Sequence, residues 1–284
     1  MEKKKIAPPA FLLPPPPPPQ NIRAMPFSDK LRAELRDFAN SLADRASELL
    51  REHHAREETE IEIKPDGSPV TVADKECERQ LRRWIAERYP QHGVIGEEFG
   101  EDRPDAEFVW ILDPVDGTKS FIPRVPLYGL LFGLLHEGKP LLGVIEQPVT
   151  RQRVVGDGQL TLYNGRPAKV SAKRELADAL LLTTDVKNIA KYQNETAWRR
   201  LVEKAGLFRT WGDCYGHMMV AAGLGDIMAD PVLNLWDIAP LLPILKGAGA
   251  AVSDWKGGDA LASRNIIAAN PWLHEQTLAV LNLP

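Results

Sequence analysis

Acidic side chains stand where several apolar segments of this chain end, and they are the first indication of chemistry. These acids are Glu97, Glu98, Asp113, Asp116 and Asp237. A carboxylate at the end of a buried strand is costly unless a cation or hydrogen-bond donors compensate its charge. Carboxylates without an accompanying cluster of cysteines or histidines favour a hard cation with oxygen ligands, above all Mg²⁺. The pattern therefore predicts a magnesium site.

The segment from Asp113 to Thr118, Asp-Pro-Val-Asp-Gly-Thr, adds a phosphate-binding signal to the metal-binding one. Pro114 fixes φ and lacks an N–H, so the chain can turn and both aspartates can face one point. The carbonyl oxygen of Val115 is a further candidate ligand. Gly117 permits close approach of the backbone, and Thr118 is expected to begin a helix whose free N–H groups would hold a phosphate. Adjacent metal and phosphate sites predict phosphoryl chemistry.

Each of these pieces also has a purely structural interpretation. Asp-Pro followed by Asp-Gly is ordinary turn chemistry. The pair Glu97-Glu98 suits a solvated loop, and Asp237 suits a helix N-cap. Only the combination of the three segments favours a catalytic site.

The elements that must position these acids begin at Ser28. Apolar residues from Leu31 to Leu49 recur at spacings of three and four and predict an amphipathic helix. The first half further predicts a helix at 73–89 and strands at 108–112, 129–135 and 141–146. The second half predicts strands at 180–183, 226–229 and 266–269 and helices at 195–205, 216–223, 236–247 and 271–281. This mixture indicates a mixed α/β protein of two lobes: an N-terminal α+β lobe, 28–150, with most of the metal ligands, and a C-terminal α/β lobe, 151–284, with the specificity residues.

Composition excludes several classes of protein. The 35 Lys and Arg against 39 Asp and Glu give a net charge of −4, which argues against nucleic-acid binding. The longest clean apolar stretch, Leu127 to Leu135, is far shorter than the about 20 residues of a membrane span. Two cysteines in 284 residues fit a reducing cytoplasm. Eight prolines within the first 19 residues predict a Pro-rich disordered tail over 1–27, and they interrupt any signal-peptide core.

Four segments of the chain, taken together, resemble the inositol monophosphatase family of Mg²⁺-dependent, lithium-sensitive phosphatases. The matching segments are Ser-Pro-Val-Thr-Val-Ala-Asp (68–74), Gly-Glu-Glu (96–98), Trp-Ile-Leu-Asp-Pro-Val-Asp-Gly-Thr (110–118) and Trp-Asp-Ile-Ala-Pro (236–240). Their order and separation match the family pattern over about residues 28–284. The resemblance implies a five-layer αβαβα sandwich that forms a homodimer.

The resemblance also implies a role for each matching residue. The implied metal ligands are Glu97, Asp113, the Val115 carbonyl, Asp116 and Asp237. One Mg²⁺, held by Glu97, Asp113 and Val115, would bind the nucleophilic water, and Asp74 and Thr118 would orient that water. A second Mg²⁺, held by Asp113, Asp116 and Asp237, would stabilise the leaving alkoxide. A third, weaker ion near Glu97 is implied, and the N–H groups of Gly117 and Thr118 would bind the phosphate.

Three further segments are similar to the histidinol-phosphatase branch of the family. They are Pro-Leu-Tyr-Gly (126–129), Gly-Val-Ile-Glu-Gln-Pro (143–148) and Gly-Asp-Cys-Tyr-Gly (212–216). Histidinol phosphate carries an ammonium and an imidazole, so its pocket needs acids besides the metal ligands. Asp213 and Asp230 are predicted to contact these groups, with Asn234 as a third candidate. Alternatively, Asp213 is an N-cap and Asp230 a strand-end turn residue, while His217 is expected to be packed in its helix.

The leading hypothesis is a cytoplasmic, Mg²⁺-dependent histidinol-phosphate phosphatase of histidine synthesis. Within the same family, an inositol-1-phosphatase and an adenosine 3′,5′-bisphosphate phosphatase stay open as alternatives. From another class, a non-catalytic regulator would dock through the Pro-rich segment. Lys64 to Ser68 is expected to form a mobile loop over the metal site, with Asp66 touching a cation weakly.

Overall fold

The computed structural model of the chain describes residues 28–56, 60–65 and 67–283. The expected Pro-rich tail, residues 1–27, lies outside the described residues. The α-helices of the described part are α1 (Asp29–His54), α2 (Val72–Arg88), α3 (Thr118–Phe121), α4 (Val186–Tyr192), α5 (Glu195–Lys204), α6 (Asp213–Ala221), α7 (Leu235–Gly247), α8 (Ala260–Ser263) and α9 (Pro271–Leu281). None of them is both long enough and apolar enough to cross a membrane.

The strands form a hairpin and two sheets. In chain order they are β1 (Ile61–Ile63), β2 (Pro69–Thr71), β3 (Gly93–Gly96), β4 (Gly100–Asp102), β5 (Phe108–Asp116), β6 (Gly129–His136), β7 (Lys139–Gln147), β8 (Gln152–Gly156), β9 (Thr161–Tyr163), β10 (Arg166–Pro167), β11 (Leu180–Leu182), β12 (Leu207–Arg209), β13 (Ile227–Asp230), β14 (Ala251–Ser253) and β15 (Ile266–Ala269). β1 and β2 pair by themselves. The larger sheet has the order β10-β9-β8-β7-β6-β5-β3-β4, and the smaller one has the order β12-β11-β13-β15-β14.

Helix α1 forms for the reason that its sequence pattern indicates. The hydroxyl of Ser28 accepts a hydrogen bond from the backbone N–H of Leu31 at 3.2 Å and so caps the first turn. Apolar residues at helical spacing, among them Leu35, Leu42 and Leu50, are buried against the larger sheet. The predicted amphipathic helix is therefore confirmed.

Hydrophobic clusters pack five layers of the described residues against one another. The first cluster packs α1 and α2 on one face of the larger sheet and includes Leu81 and Trp110. The second surrounds α6 and α7 between the two sheets and includes Met218 and Leu241. The third packs α5 and α9 on the far face of the smaller sheet and includes Trp198. The order helix, sheet, helix, sheet, helix confirms the expected αβαβα sandwich.

Helix α7 lies directly on the backbone of the larger sheet. A Cβ added at Gly143 of β7 would lie 1.9 Å from the carbonyl oxygen of Pro240, and one at Gly133 of β6 would lie 3.1 Å from the Pro240 Cα. On β8, a Cβ at Gly156 would lie 2.5 Å from the Ile244 Cα. Only glycine permits this approach, which fixes the N-terminus of α7 relative to the sheet.

Several predicted boundaries differ from the structure. β5 runs on to Asp116 instead of ending at Leu112, because β6 continues to pair with it across a register shift between Asp113 and Asp116. Helix α6 begins at Asp213, three residues before the predicted start at Gly216. Strands β8, β9 and β10 extend the larger sheet past residue 150, so the change of sheet does not coincide with the expected boundary there.

Candidate metal centre and active site

The end of β5 turns sharply into α3. A hydrogen bond from the Val115 N–H to Asp113 Oδ1, at 3.2 Å, braces the turn between the two aspartates. Gly117 then adopts a left-handed conformation with φ of +85°, and α3 begins at Thr118 as predicted. Glycine is suited to this position because a side chain there is strained.

Asp113, Asp116 and Asp237 form a cluster of carboxylates. One oxygen of each lies within 4.8 Å of the others. Asp237 belongs to the first turn of α7, where its Oδ2 accepts a hydrogen bond from the Asn234 N–H at 2.6 Å. Asp116 Oδ2 accepts one from the N–H of Cys214, at the start of α6. A strand and two helices therefore meet at this cluster.

Burial and mutual repulsion disfavour the ionised forms of all three carboxyls. Burial, followed by the charges of Glu97, Asp116 and Asp237, raises the pKa of Asp113 well above its ordinary value. Burial and the charges of Asp213 and Asp237 do the same to the pKa of Asp116. Burial, reinforced by the charge of Glu97, raises the pKa of Asp237 to about 6.

The cluster fits a hard divalent cation. No ion pair within the described part of the chain involves Asp113, Asp116 or Asp237. Unneutralised oxygen donors, with Asp113 buried and Asp116 and Asp237 half-buried, are the chemistry that Mg²⁺ prefers. A bound cation would offset the repulsion that contributes to these raised pKa values.

Glu97 lies beside the three-carboxylate cluster and is bound by a lysine. Its Oε1 accepts a hydrogen bond from Lys64 Nζ at 2.8 Å, and Glu98 Oε1 accepts another at 2.7 Å. Burial opposes the charged form of Lys64, but these two hydrogen bonds raise the pKa of its ammonium overall. Burial raises the pKa of Glu98 to about 7 despite the lysine. Asp66, in the same loop, lies outside the described residues.

Asp74 and Thr118 come together as predicted for a pair that orients water. Thr118 Oγ1 lies 3.2 Å from Asp74 Oδ1 and 3.0 Å from the carbonyl oxygen of Val115. The other oxygen of Asp74 accepts hydrogen bonds from the N–H and the hydroxyl of Thr71, which caps α2. Burial raises the pKa of Asp74, although the contacts with Thr71 oppose this.

A cavity of about 380 Å³ opens beside these residues. It is lined by Ser68, Pro69, Glu97, Gly117, Thr118, Lys119, Ser120, Val125, Leu127, Thr184, Asp185, Asn188, Thr210, Gly212 and Asp213. A smaller cavity of about 120 Å³ adjoins it, lined in part by Asp116, His217, Asp230 and Asp237. The two cavities share four lining residues, Thr184, Asp185, Asn188 and Asp213.

Asp213 lies against the β5–α3 turn. A Cβ at Gly117 would be 2.9 Å from Asp213 Oδ2, and the backbone of Asp213 is left-handed, with φ of +52°. Burial and the charges of Asp230 and Asp237 raise the pKa of Asp213 to about 7. The charge of Lys119, which also lines the cavity, opposes this rise only in part, so a cationic ligand group would further stabilise the Asp213 carboxylate.

The other predicted substrate contacts differ in their surroundings. Both oxygens of Asp230 accept hydrogen bonds, one from the Thr184 N–H at 2.9 Å and one shared with His217 Nε2 at 3.0 Å. His217 is buried, as expected for a packed histidine. Asn234 is the N-cap of α7 and is not among the residues that line the two cavities.

Sequence reasoning did not select Lys64, Asp185 or Asn188 as site residues. Asp185 follows the strand 180–183, so the rule that selected Asp113, an acid after an apolar strand, would have found it. Asn188 lies three residues later, in α4. The pairing of Lys64 with Glu97 spans 33 residues, and no local pattern indicates it.

Comparisons with known proteins agree on one family. A sequence profile described as the inositol monophosphatase family matches residues 31–282. The histidinol-phosphatase of Chlorobaculum parvum is 36% identical over 244 residues, covering 81% of this chain and 94% of that protein. The bifunctional phosphatase IMPL2, chloroplastic, of Arabidopsis thaliana is 36% identical over 255 residues, covering 85% of this chain and 73% of that protein. The structure of an inositol monophosphatase from Zymomonas mobilis has a TM-score of 0.78 and 33% identity, covering 91% of this chain and all of that one.

Proposed function

This chain belongs to the inositol monophosphatase family and is a phosphatase, and from this premise we propose that it uses Mg²⁺ to hydrolyse L-histidinol phosphate to L-histidinol and phosphate. The similarity to a histidinol-phosphatase over most of both chains supports this substrate. The same family contains relatives named for inositol phosphate and for two activities, so the family alone does not select the ester.

One observation carries the choice of substrate: a second group of acids lines the cavity next to the carboxylate cluster. Asp185 and Asp213 line the cavity together with Asn188. An ester of a neutral alcohol brings no positive charge that could compensate these carboxylates. The ammonium and imidazole of histidinol phosphate supply positive charge and hydrogen-bond donors to these half-buried carboxylates.

The proposed metal ligands are Glu97, Asp113, Asp116, Asp237 and the carbonyl of Val115. Mg²⁺ held by these residues would supply positive charge to the phosphate oxygens and would acidify water, which is the chemistry that hydrolysis of an anionic ester needs. Asp74 and Thr118 are proposed to hold the attacking water, which their mutual hydrogen bond beside the cluster supports. The backbone of Gly117 and Thr118 borders the same cavity and is proposed to bind the phosphate. Asp213 is proposed to bind the substrate ammonium.

Phosphate release from three esters tests this proposal. Histidinol phosphate, inositol 1-phosphate and adenosine 3′,5′-bisphosphate are compared with Mg²⁺ present. We expect kcat/KM to favour histidinol phosphate by about a hundredfold, or roughly 2.7 kcal/mol. A preference for inositol phosphate or the nucleotide would reject the substrate while leaving the metal site in place.

The variant Asp213→Asn tests the residue assigned to the ammonium. We expect KM for histidinol phosphate to rise about tenfold or more, because a charged hydrogen bond worth about 1.5–3 kcal/mol is lost. KM for inositol 1-phosphate should change far less, so the ratio of the two cancels any general damage to the site. Asp259→Asn, at an exposed cap of α8, serves as the control. Equal changes for both esters would contradict the assignment.

The assembly and the compartment stay predictions. The family resemblance implies a homodimer, which light scattering of the purified chain would detect. The low cysteine content favours the cytoplasm.

A further inference from the structure

Glu78, in the second turn of α2, is a buried carboxylate that bonds to the turn carrying Glu97. Its side chain has 0% exposure. Its Oε2 accepts a hydrogen bond from the Glu98 N–H at 2.8 Å, and its Oε1 accepts one from the Phe99 N–H at 3.2 Å. Arg82, one helical turn later, donates to Oε1 at 2.8 Å and balances the charge.

The Glu97 turn is shaped to receive this carboxylate. A Cβ at Gly96 would lie 2.1 Å from Glu78 Oε1, so only glycine leaves room there. On the other side of the turn, the Glu97 N–H donates to the Leu112 carbonyl of β5 at 3.1 Å. Three consecutive amides, those of Glu97, Glu98 and Phe99, are therefore fixed by β5 and α2.

Helix α2 thereby supports both sides of the active site. Asp74 and Glu78 are four residues apart, so they project from the same face of the helix. Asp74 bonds to Thr118, and Glu78 bonds to the turn of Glu97. One helix face thus contacts both the β5–α3 turn and the turn that carries Glu97.

We propose that Glu78 is a positioning residue, which holds the Glu97 turn so that the Glu97 carboxylate is set for metal binding. This inference rests on the proposed function only in taking Glu97 as a metal ligand. Groups that orient metal ligands typically contribute about 10–100-fold to metal affinity.

The test is a titration of the full chain with Mn²⁺, which shares the oxygen preference of Mg²⁺, followed by electron paramagnetic resonance of the free ion. Glu78→Gln keeps the length of the side chain but replaces one acceptor by an NH₂ group. Glu78→Asp keeps the charge but withdraws the acceptors by about one bond length. We expect both variants to weaken Mn²⁺ binding by about tenfold or more.

Glu76→Gln is the matched control on the same helix. Glu76 pairs with His53 at 3.1 Å, is 41% exposed and does not contact the turn, so Mn²⁺ affinity should stay within about twofold of the unsubstituted chain. Normal affinity in Glu78→Asp with a loss in Glu78→Gln would overturn positioning in favour of a simple charge effect. Normal affinity in both variants would overturn the inference altogether.

A measurement on the unsubstituted chain keeps the inference testable if neither variant folds. The amides of Glu98 and Phe99 should exchange slowly with deuterated solvent, since Glu78 accepts from both. Rapid exchange of these amides would contradict the proposed anchor. The metal readout involves no substrate, so a failure to hydrolyse histidinol phosphate would reject only the proposed function. Normal hydrolysis combined with unchanged Mn²⁺ binding in the variants would reject only the role of Glu78.

Discussion

The three clustered carboxylates repel one another when ionised, and a bound metal ion would reduce that repulsion. Asp113 and Asp116 come from one strand and Asp237 from a helix, and burial raises the pKa of each. Because the same repulsion opposes folding without metal, removing one charge should affect turnover and metal-free stability in opposite directions.

Asp116→Asn should therefore lower kcat for phosphate release by about 10²–10³-fold, equivalent to about 3–4 kcal/mol. Its metal-free Tm should rise by a few degrees, because a buried charge is removed from a repulsive cluster. Initial rates with Mg²⁺ and calorimetry without metal measure the two effects. Asp105→Asn, at an exposed turn, should change neither quantity. Near-normal turnover in Asp116→Asn would remove Asp116 from the proposed ligand set.

Asp113, Asp116 and Asp237 could be singled out, with Glu97 and Glu98, because each acid lies at the end of an apolar segment, and the family resemblance implied that they act together as metal ligands. Lys64 could not be assigned to Glu97 in the same way, since their contact depends on how the β1–β2 hairpin folds over the site. Asp230 shows a further limit. The sequence places it near the substrate, but the two hydrogen bonds that occupy its carboxylate form only in the folded chain.

At the scale of the elements, the position of Asp237 depends on how α7 packs on the larger sheet. Its backbone lies on Gly133 and Gly143, so the position of the helix is set by main-chain contacts with β6 and β7. A side chain in this interface would displace the first turn of α7 from the carboxylates of β5.

Gly143→Ala should lower Tm by a few degrees and reduce kcat, because its Cβ would meet the Pro240 carbonyl at 1.9 Å. Overpacking of this kind costs about 1–3 kcal/mol. Gly138→Asn is the control in the β6–β7 turn, where φ is +73° and no atom lies within 4 Å of an added Cβ. Asparagine tolerates that conformation, so Tm and kcat should hardly change. If Gly143→Ala left Tm and kcat unchanged like the control, the inference that α7 lies in close contact with the sheet would be contradicted.

The types of the principal elements were predictable and their ends were not. The 3–4 spacing in α1 and the alternation of apolar strands with turns are local signals, and they correctly predict those elements. β5 passes through Pro114 to Asp116 because the pairing with β6 resumes after the shift, which is a non-local interaction. The early start of α6 at Asp213 likewise depends on tertiary contacts, including the Thr184 hydroxyl that accepts from the Asp213 N–H at 2.8 Å.

For the whole molecule, the carboxylate cluster links stability, pH and metal. The folded-state pKa of Asp237 is about 6 and that of Asp213 is about 7, above their ordinary values. A raised carboxyl pKa contributes stability that is complete below the unfolded-state pKa and is lost as pH rises through the folded-state pKa. The metal-free protein should lose this contribution between about pH 4 and 7. Burial lowers the pKa of His54, His92 and His274. The free energy of unfolding therefore also falls as pH drops below about 6.5, because the unfolded chain then binds protons that these histidines resist in the folded state.

The increase in Tm produced by Mg²⁺ isolates the effect of the carboxylates, because the three histidines contribute equally to Tm with and without the metal. We expect this increase to grow from about pH 5.5 to about pH 8, as protons cease to compete with the cation for the carboxylates. Calorimetry with saturating Mg²⁺ and with a chelator measures it at each pH. An increase in Tm that shrank as pH rose would contradict a metal centre built on these acids.

The backbone contact between α7 and the larger sheet has a consequence for how the enzyme tells its substrates apart. Because glycines let the backbone of α7 lie on the backbone of β6, β7 and β8, the first turn of the helix has little room to shift relative to the sheet. We therefore expect the distance from Asp237 to the aspartates of β5 to vary little from one bound ester to another. Under the proposed function, discrimination between esters would then depend on Asp185, Asn188 and Asp213, which line the cavity. Such a division would let the same carboxylate cluster serve new substrates through the exchange of a few residues that line the cavity.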